Sequence, residues 1–209
     1  MITLERAQEI ILREVRPLGT EKVDIVGTLG RVLAEDIYAP RTLPPWDNSG
    51  MDGYAVRSQD VAQASPDNGI SLKVVDFIPA GSLPQKEVGP GQAIKIMTGA
   101  PVPVGADAVV MVEETRSENE DEVIILQSAK PWQNVRRAGE DVCKGDRVLS
   151  SGAVVGPAEI GMMAALGRSF VSVYQKPLVA ILTTGDELRD VDDPLTDQAN
   201  ISANGYSLS

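Results

Sequence analysis

A loop rich in polar and turn-forming residues, "PPWDNSGMDGYAV" at Pro44 to Val56, holds the first candidates for chemistry. Gly tolerates positive φ angles and Asp bonds its own backbone, so Asp47 to Gly53 is predicted to be a shaped loop. Composition alone favours a tight turn, with Asp47 and Asn48 as its formers. A shaped turn is also how a carboxylate is held rigidly for function, and Asp52 is the carboxylate in question.

A second candidate is Thr98, in the segment "IMTGAPVPVGADAVV". In a structural interpretation, Thr98 ends a strand and Gly99 opens a turn that Pro101 and Pro103 stiffen. In a functional interpretation, the Thr98 hydroxyl and adjacent backbone amides donate hydrogen bonds to an anion. The residues alone leave both interpretations open.

The charged segment "RRAGEDVCKGD" places Arg136 and Arg137 four or five residues before Asp141, with a glycine turn between them. It is typical of a solvated turn with weak surface ion pairs. As a functional segment, its guanidinium groups would grip phosphate, and Asp141 would ligate magnesium or order a neighbouring loop. Cys143 is predicted to be inert, because nothing nearby favours a thiolate.

The segment "KPLVAILTTGDELRD" runs a continuous apolar stretch, Leu178 to Leu182, into a polar loop. This pattern predicts a parallel strand covered on both faces, with Thr183 to Glu187 at its carboxyl end, where α/β sheets bind ligands. The loop is predicted to lead into a helix N-terminus, capped by Thr184 or Asp186, which is a platform for anions. In the functional version, Glu187 handles a metal ion.

The composition limits which partners, general bases and metal ions the protein can use. The 209-residue chain carries a net charge of -11, no histidine and one cysteine. The negative charge disfavours nucleic acid as a partner, and the lack of histidine removes the commonest general base. Oxygen ligands favour a hard cation such as magnesium. A single cysteine forms no intramolecular disulfide, which favours a reducing compartment.

The helices that frame these loops have clear signals. Apolar residues at helical spacing predict an amphipathic packing helix from Thr3 to Arg16, ended by Pro17 and Gly19. A second helix is predicted at "GPAEIGMMAALG", with Pro157 in the first turn and Gly167 at the end. The N-terminus has no continuous apolar run, so we expect neither a signal peptide nor a membrane span. We therefore expect a cytoplasmic protein.

Short apolar segments punctuated by Gly and Pro predict strands of a small barrel or sandwich, at "SLKVVDFI", "QAIKIMTG", "AVVMVEET", "DEVIIL" and "DRVL". The apolar run at 178–182 has no predicted partner strand. We therefore expect the natural protein to continue past Ser209, or the terminal segment to be poorly ordered.

Four segments, taken in order and spacing, closely resemble the molybdopterin molybdotransferases, the MoeA and gephyrin E-domain family: "DNSGMDGYAV", "IKIMTGAPVPVGADAVVMVEE", "VRRAGEDVCKGD" and "AILTTGDEL". The resemblance implies a mixed α and β, multidomain fold. It places the N-terminal helix at 1–20 and an elongated dimerisation domain at 21–42 and 146–174. A small β-rich, barrel-like domain is inserted at 43–145, and a truncated α/β (MogA-like) molybdopterin-binding domain starts at 175–209.

The resemblance also implies the activity. The family inserts molybdate into adenylated molybdopterin and releases AMP with the help of Mg²⁺, as a homodimer, with the molybdopterin adenylyltransferase as a further partner. Residue by residue, it assigns catalytic roles to Asp52, Thr98, Asp141 and Glu187. Of these, Asp141 and Glu187 are the expected metal ligands, and the expected cofactor-binding residues are Thr184, Gly185 and Asp186. The chain alone is expected to be inactive.

Two rival functions belong to other classes. A scaffold that binds a partner through the inserted domain, as gephyrin relatives do, would expose an apolar groove. A magnesium-dependent nucleotide hydrolase would use Asp52 and Glu187, but the polar loops lack a lysine-bearing phosphate cradle.

Overall fold

The structure is a computed structural model that describes residues 2–194 and 199–208. Within these ranges the helices are α1 Leu4–Glu14, α2 Pro157–Ala165 and α3 Ala203–Leu208. The strands are β1 Thr20–Asp24, β2 Ile37–Tyr38, β3 Asn48–Ser49, β4 Gly53–Val56, β5 Ile70–Ile78, β6 Gln92–Ile96, β7 Ala108–Met111, β8 Thr115–Asn119, β9 Glu122–Ile125, β10 Val135–Arg136, β11 Arg147–Leu149, β12 Phe170–Tyr174, β13 Leu188–Arg189 and β14 Asn200–Ile201. The predicted mixed α and β class is confirmed, and β structure dominates it.

A six-stranded sheet forms the largest unit, with the strand order β7-β4-β6-β5-β9-β8. Its neighbouring strands are antiparallel except for β5 and β6, which are parallel. The two edge strands, β7 and β8, are joined by the short 3₁₀ turn Val112–Glu114, so the sheet curls until its edges lie one turn apart. Each of the five segments predicted to be strands contains one.

Both faces of the curled sheet are packed. One face buries residues such as Val56, Leu72 and Val123, and the other buries Ile78 and Ile94. Burying an aliphatic side chain of this size stabilises a fold by about 1.5–3 kcal/mol. Two packed faces therefore hold the strands in a fixed register, which is what positions the loops at their ends.

A second core joins chain segments that precede and follow the curled sheet in sequence. Strand β1 pairs with β12, and β2 pairs with β11. The cluster includes Leu33 and Ile37 from the first segment and Met163 and Val173 from the second. Helix α2 packs here through Met163, and its predicted signals are confirmed: Pro157 stands in its first turn.

Helix α1 begins where the sequence predicts, because the backbone N–H of Arg6 donates to the Thr3 hydroxyl at 3.3 Å. It ends at Glu14, slightly before the predicted end. The prediction that it packs is wrong for the described part of the chain, where none of its residues is buried. Its apolar side chains, including Leu4 and Ile11, are exposed because no described element covers them. No described helix is both long and apolar enough to cross a membrane.

The predicted buried strand at 178–182 is wrong. These residues form no strand, and Leu178 and Leu182 are exposed, because the described chain offers no neighbouring strand to pair with them. The predicted helix after "TTGDEL" is wrong as well. The Asn200 N–H donates to the Glu187 carbonyl at 2.8 Å, so this backbone enters a parallel ladder between β13 and β14 instead. The start of an α/β domain is predicted at 175–209. Two parts of this segment, residues 195–198 and Ser209, lie outside the described residues.

Candidate functional site

The structure joins two of the predicted site residues, Asp52 and Thr98. Oδ1 of Asp52 accepts two hydrogen bonds, one from the Thr98 backbone N–H and one from the Thr98 hydroxyl, each 2.7 Å long. The sheet register creates this contact, since Gly53 of β4 lies opposite Ile96 of β6 and the next residues of both segments meet beyond the strand ends. Two motifs that are distant in sequence thus form one site, which we call the Asp52–Thr98 junction.

These hydrogen bonds fix the charge of the junction. The Thr98 backbone N–H, and then its hydroxyl, lower the pKa of Asp52 below the ordinary value for aspartate, because both stabilise the ionised carboxylate. Asp52 is exposed, and its Oδ2 accepts no hydrogen bond from any described residue. The junction therefore presents a rigidly held, ionised oxygen to its surroundings.

Both Thr98 donors are occupied by Asp52. In this arrangement the Thr98 hydroxyl and N–H are not open to an external anion, and the role of Thr98 toward an anion stays a prediction. Thr98 instead acts on Asp52, by holding its carboxylate in one orientation and keeping it ionised.

The other end of the loop is held by Asp47. Its carboxylate accepts hydrogen bonds from the Arg137 side chain and the Ala138 backbone N–H, both at 2.8 Å. In between, β3 pairs with β10, and the Ser49 N–H donates to the Ala100 carbonyl at 2.9 Å. The prediction of a shaped loop with Asp47 as a structural residue is confirmed. Anchored at both ends, this loop presents Asp52 without freedom to swing.

Sequence reasoning missed Trp132. The Arg137 guanidinium stacks on its ring, 3.4 Å from the ring centroid, while it also pairs with Asp47. Arg stacks on aromatic faces because its planar, weakly hydrated cation is attracted by the ring's negative face. No local signal in the sequence could have found this contact, because the four residues between Trp132 and Arg137 show no helical or strand periodicity.

The charged segment forms a compact ion-pair cluster. Arg136 donates to Glu140 at 2.5 Å and to both carboxylate oxygens of Asp141 at 2.8 and 2.7 Å. These partners, Glu140 first, raise the pKa of Arg136. All three side chains are partly exposed, so the ion pairs add little to stability. Their effect is to fix the side-chain directions beside β10.

The remaining predicted residues lie near β13. Thr183 accepts a hydrogen bond from the Ser202 hydroxyl at 3.0 Å, and the Asp186 carbonyl accepts one from Arg189 at 3.0 Å. The Glu187 carboxylate folds over Gly185, where an added Cβ would lie 2.7 Å from Oε1. Thr184 lines a cavity of about 480 Å³ with residues of α3. No hydrogen bond or ion pair among the described residues links this group to the Asp52–Thr98 junction.

The described residues hold no preformed cluster of metal ligands. Nowhere in 2–194 and 199–208 do three His, Cys, Asp or Glu side chains converge on one point. Both oxygens of Asp141 already accept from Arg136, whose positive charge opposes a bound cation. The assignment of Asp141 and Glu187 as ligands stays a prediction, and no chemical step is assigned to the metal.

A Thr98→Val substitution tests the junction directly. It removes the hydroxyl donor but keeps the backbone N–H, so we expect the pKa of Asp52 to rise yet stay below its ordinary value, as measured by ¹³C NMR titration of the carboxyl group. A lowered folded-state pKa adds stability above the unfolded pKa, and this stability is lost as the pH falls through the folded value. The variant should lose it at a higher pH than the parent protein.

The control for that titration is Thr115→Val, because the Thr115 hydroxyl donates to the Val112 carbonyl and not to Asp52. This variant should leave the pKa of Asp52 unchanged. An Asp52 titration that is identical in Thr98→Val and the parent protein would contradict the junction.

The loops that meet at the junction belong to a known family. Residues 2–167 match the family model described as "MoeA N-terminal region (domain I and II)". The chain belongs to the MoeA family. The matched range contains the Asp52 segment, the Thr98 segment and the Arg136 cluster.

Curated relatives agree with this match. A Mycobacterium tuberculosis protein named molybdopterin molybdenumtransferase 2 is 40% identical over the whole chain, which covers 51% of that protein. A Bacillus subtilis protein named molybdopterin molybdenumtransferase is 44% identical over 84% of the chain and 42% of its own length. The chain thus spans about half the length of the curated relatives it matches.

The fold is also found in a solved structure. A molybdopterin biosynthesis MoeA protein from Pyrococcus horikoshii superposes with a TM-score of 0.85 at 37% identity, over 100% of this chain and 55% of that one. The chain is therefore similar to MoeA proteins in both sequence and fold.

Proposed function

We propose that the protein acts in molybdenum cofactor biosynthesis as a molybdopterin molybdenumtransferase, inserting molybdate into adenylated molybdopterin with release of AMP. The observation that carries this proposal is the Asp52–Thr98 junction, which unites two family motifs in one rigid site. The names of relatives about 40% identical support it. The adenylyltransferase that makes the substrate is the proposed partner, and the cytoplasm is the proposed compartment.

In this function Asp52 acts through its charge. An ionised carboxylate repels molybdate, which is also an anion, so Asp52 does not bind molybdate directly. We assign Oδ2 of Asp52 to hydrogen-bond donors of the pterin substrate, which it would orient for the exchange. Thr98 is a positioning residue that keeps Oδ2 directed outward. Asp141 and Glu187 remain the proposed residues of the family's metal-assisted step.

We also propose the domain arrangement that the resemblance implies. An elongated dimerisation domain comprises 21–42 and 146–174, with the β-rich domain of 43–145 inserted between them, and an α/β domain starts at 175. The core that joins Leu33 and Ile37 with Met163 and Val173 supports the insertion. The exposed apolar side chains of α1 support a homodimer, because a second copy would cover them.

A chimera tests the proposed function. In it, this chain replaces the matching segment of the Bacillus subtilis relative. The relative supplies the part of its own length that this chain does not match. We expect molybdate-dependent AMP release from adenylated molybdopterin, and no turnover by the 209-residue chain alone. A folded chimera with no activity would overturn the proposal. AMP release from a generic dinucleotide without molybdate would favour a hydrolase.

A further inference from the structure

The curled sheet opens at one end into a cleft of about 820 Å³. Strands β4, β5, β6 and β8 supply its walls, together with the β8–β9 turn. Two bulges border it, one in β5 between Val74 and Asp76 and one in β8 between Arg116 and Asn119. Bulges are frequent at the rims of barrels and next to binding sites, and small-ligand sites occupy about 300–1,000 Å³. The cleft therefore has the size and position of a binding site.

A largely buried tyrosine, Tyr54, lines this cleft. Tyr54 is 5% exposed, packs in the core of the sheet, and forms part of the cleft wall. Its hydroxyl has no hydrogen-bond partner among the described residues. The hydroxyl oxygen is open to the cleft, so it is available to hydrogen-bond a ligand there.

An aromatic ring and a cation lie beside Tyr54. Phe77 is 50% exposed in the cleft, and the Lys95 ammonium lies 5.7 Å from its ring centroid. In the sheet register Lys95 is opposite both Tyr54 and Phe77, so the three side chains form one row. The ring is thus a platform that already attracts a positive charge.

The lining carries more negative than positive charge. Asp76, Glu120 and Asp121 contribute three carboxylates, and Lys95 contributes the one ammonium. In the described part of the chain these carboxylates do not converge as a metal site would require. Separate carboxylates beside an aromatic face match a planar cation with delocalised charge better than they match a metal ion.

We propose that this cleft binds a guanidinium-bearing ligand. The planar cation stacks on Phe77 in the place of the Lys95 ammonium, its N–H groups donate to the Asp76 and Asp121 carboxylates, and one donates to the Tyr54 hydroxyl. The guanidinium comes either from a free small molecule or from an arginine side chain of an extended peptide. The binding is separate from the transferase reaction and does not depend on the proposed function.

The test is calorimetric titration of the 209-residue chain with three probes. These are L-arginine amide, an acetylated and amidated Ala-Ala-Arg-Ala-Ala peptide, and the same peptide with citrulline, which is neutral and of the same shape. We expect the citrulline peptide to bind at least about tenfold more weakly than the arginine peptide, since the ion pairs are lost. Equal affinity of both arginine probes identifies a small-molecule site, and tighter peptide binding identifies an arginine side chain of a protein.

Two charge-changing variants test whether the cleft prefers a positively charged ligand. Lys95→Met removes the competing ammonium and should tighten arginine binding about threefold or more, whereas Asp121→Asn should weaken it by a similar factor. Tyr54→Phe should weaken it as well, because the hydroxyl is lost. Weaker binding in Lys95→Met, equal binding of the citrulline peptide, or no binding of either arginine probe would each overturn the proposal.

Discussion

Asp52→Asn in the chimera is expected to lower molybdate-dependent AMP release by about 100-fold or more, because the carboxylate oxygen proposed to orient the pterin substrate is lost. The amide oxygen of asparagine can still accept both hydrogen bonds from Thr98, so the loop geometry is retained. The negative charge and the free Oδ2 are lost. The substitution therefore separates charge from shape, and activity is measured as AMP release at saturating substrate.

Two measurements accompany this prediction. Light scattering should give the same mass for the variant and the parent protein, and Thr98→Val should show a smaller loss of activity because the Thr98 N–H still holds Asp52. If the variant retains activity within about twofold of the parent protein, Asp52 has no charge-dependent role. If the mass falls and activity is lost with it, the loop is structural.

Gly53→Ala is expected to destabilise the curled sheet by about 3 kcal/mol, the upper part of the usual range for overpacking. A Cβ on Gly53 would lie 2.0 Å from the carbonyl oxygen of Val110 and 2.9 Å from its carbonyl carbon. Both are backbone atoms of β7, which pairs with β4, so the clash can be relieved only by moving the strands apart. Because Gly53 follows Asp52 directly, the same movement would disturb the junction.

Urea unfolding followed by tryptophan fluorescence measures this effect. The chain has two tryptophans, Trp46 and Trp132, and both lie in the segments that flank the curled sheet. A matched control is Gly161→Ala in α2, where an added Cβ meets nothing within 4 Å and alanine favours the helix by about 0.5–1 kcal/mol. The control should not lower the unfolding midpoint. An unchanged midpoint in Gly53→Ala would show that the strands separate without cost.

Local signals in the sequence predicted the local structure well. The Thr3 cap and the Pro157 start of α2 depend only on residues within one turn, and both are observed. The five strand segments were found because apolar residues and breakers mark strands in any fold. The buried strand predicted at Leu178 to Leu182 is not observed. An apolar pattern shows that a segment can be buried, but it does not show which other segment would cover it.

The sequence by itself determined the family, the shaped loop that carries Asp52, and the polar residues that meet the loop. Only the tertiary structure decided which of these residues are partners. Asp52 meets Thr98 because β4 and β6 pair in one register, and Arg136 donates to both carboxylate oxygens of Asp141. The row of Tyr54, Lys95 and Phe77 arises in the same way. Contacts between distant segments depend on strand register, and a one-residue slip would turn every side chain of a strand to the other face.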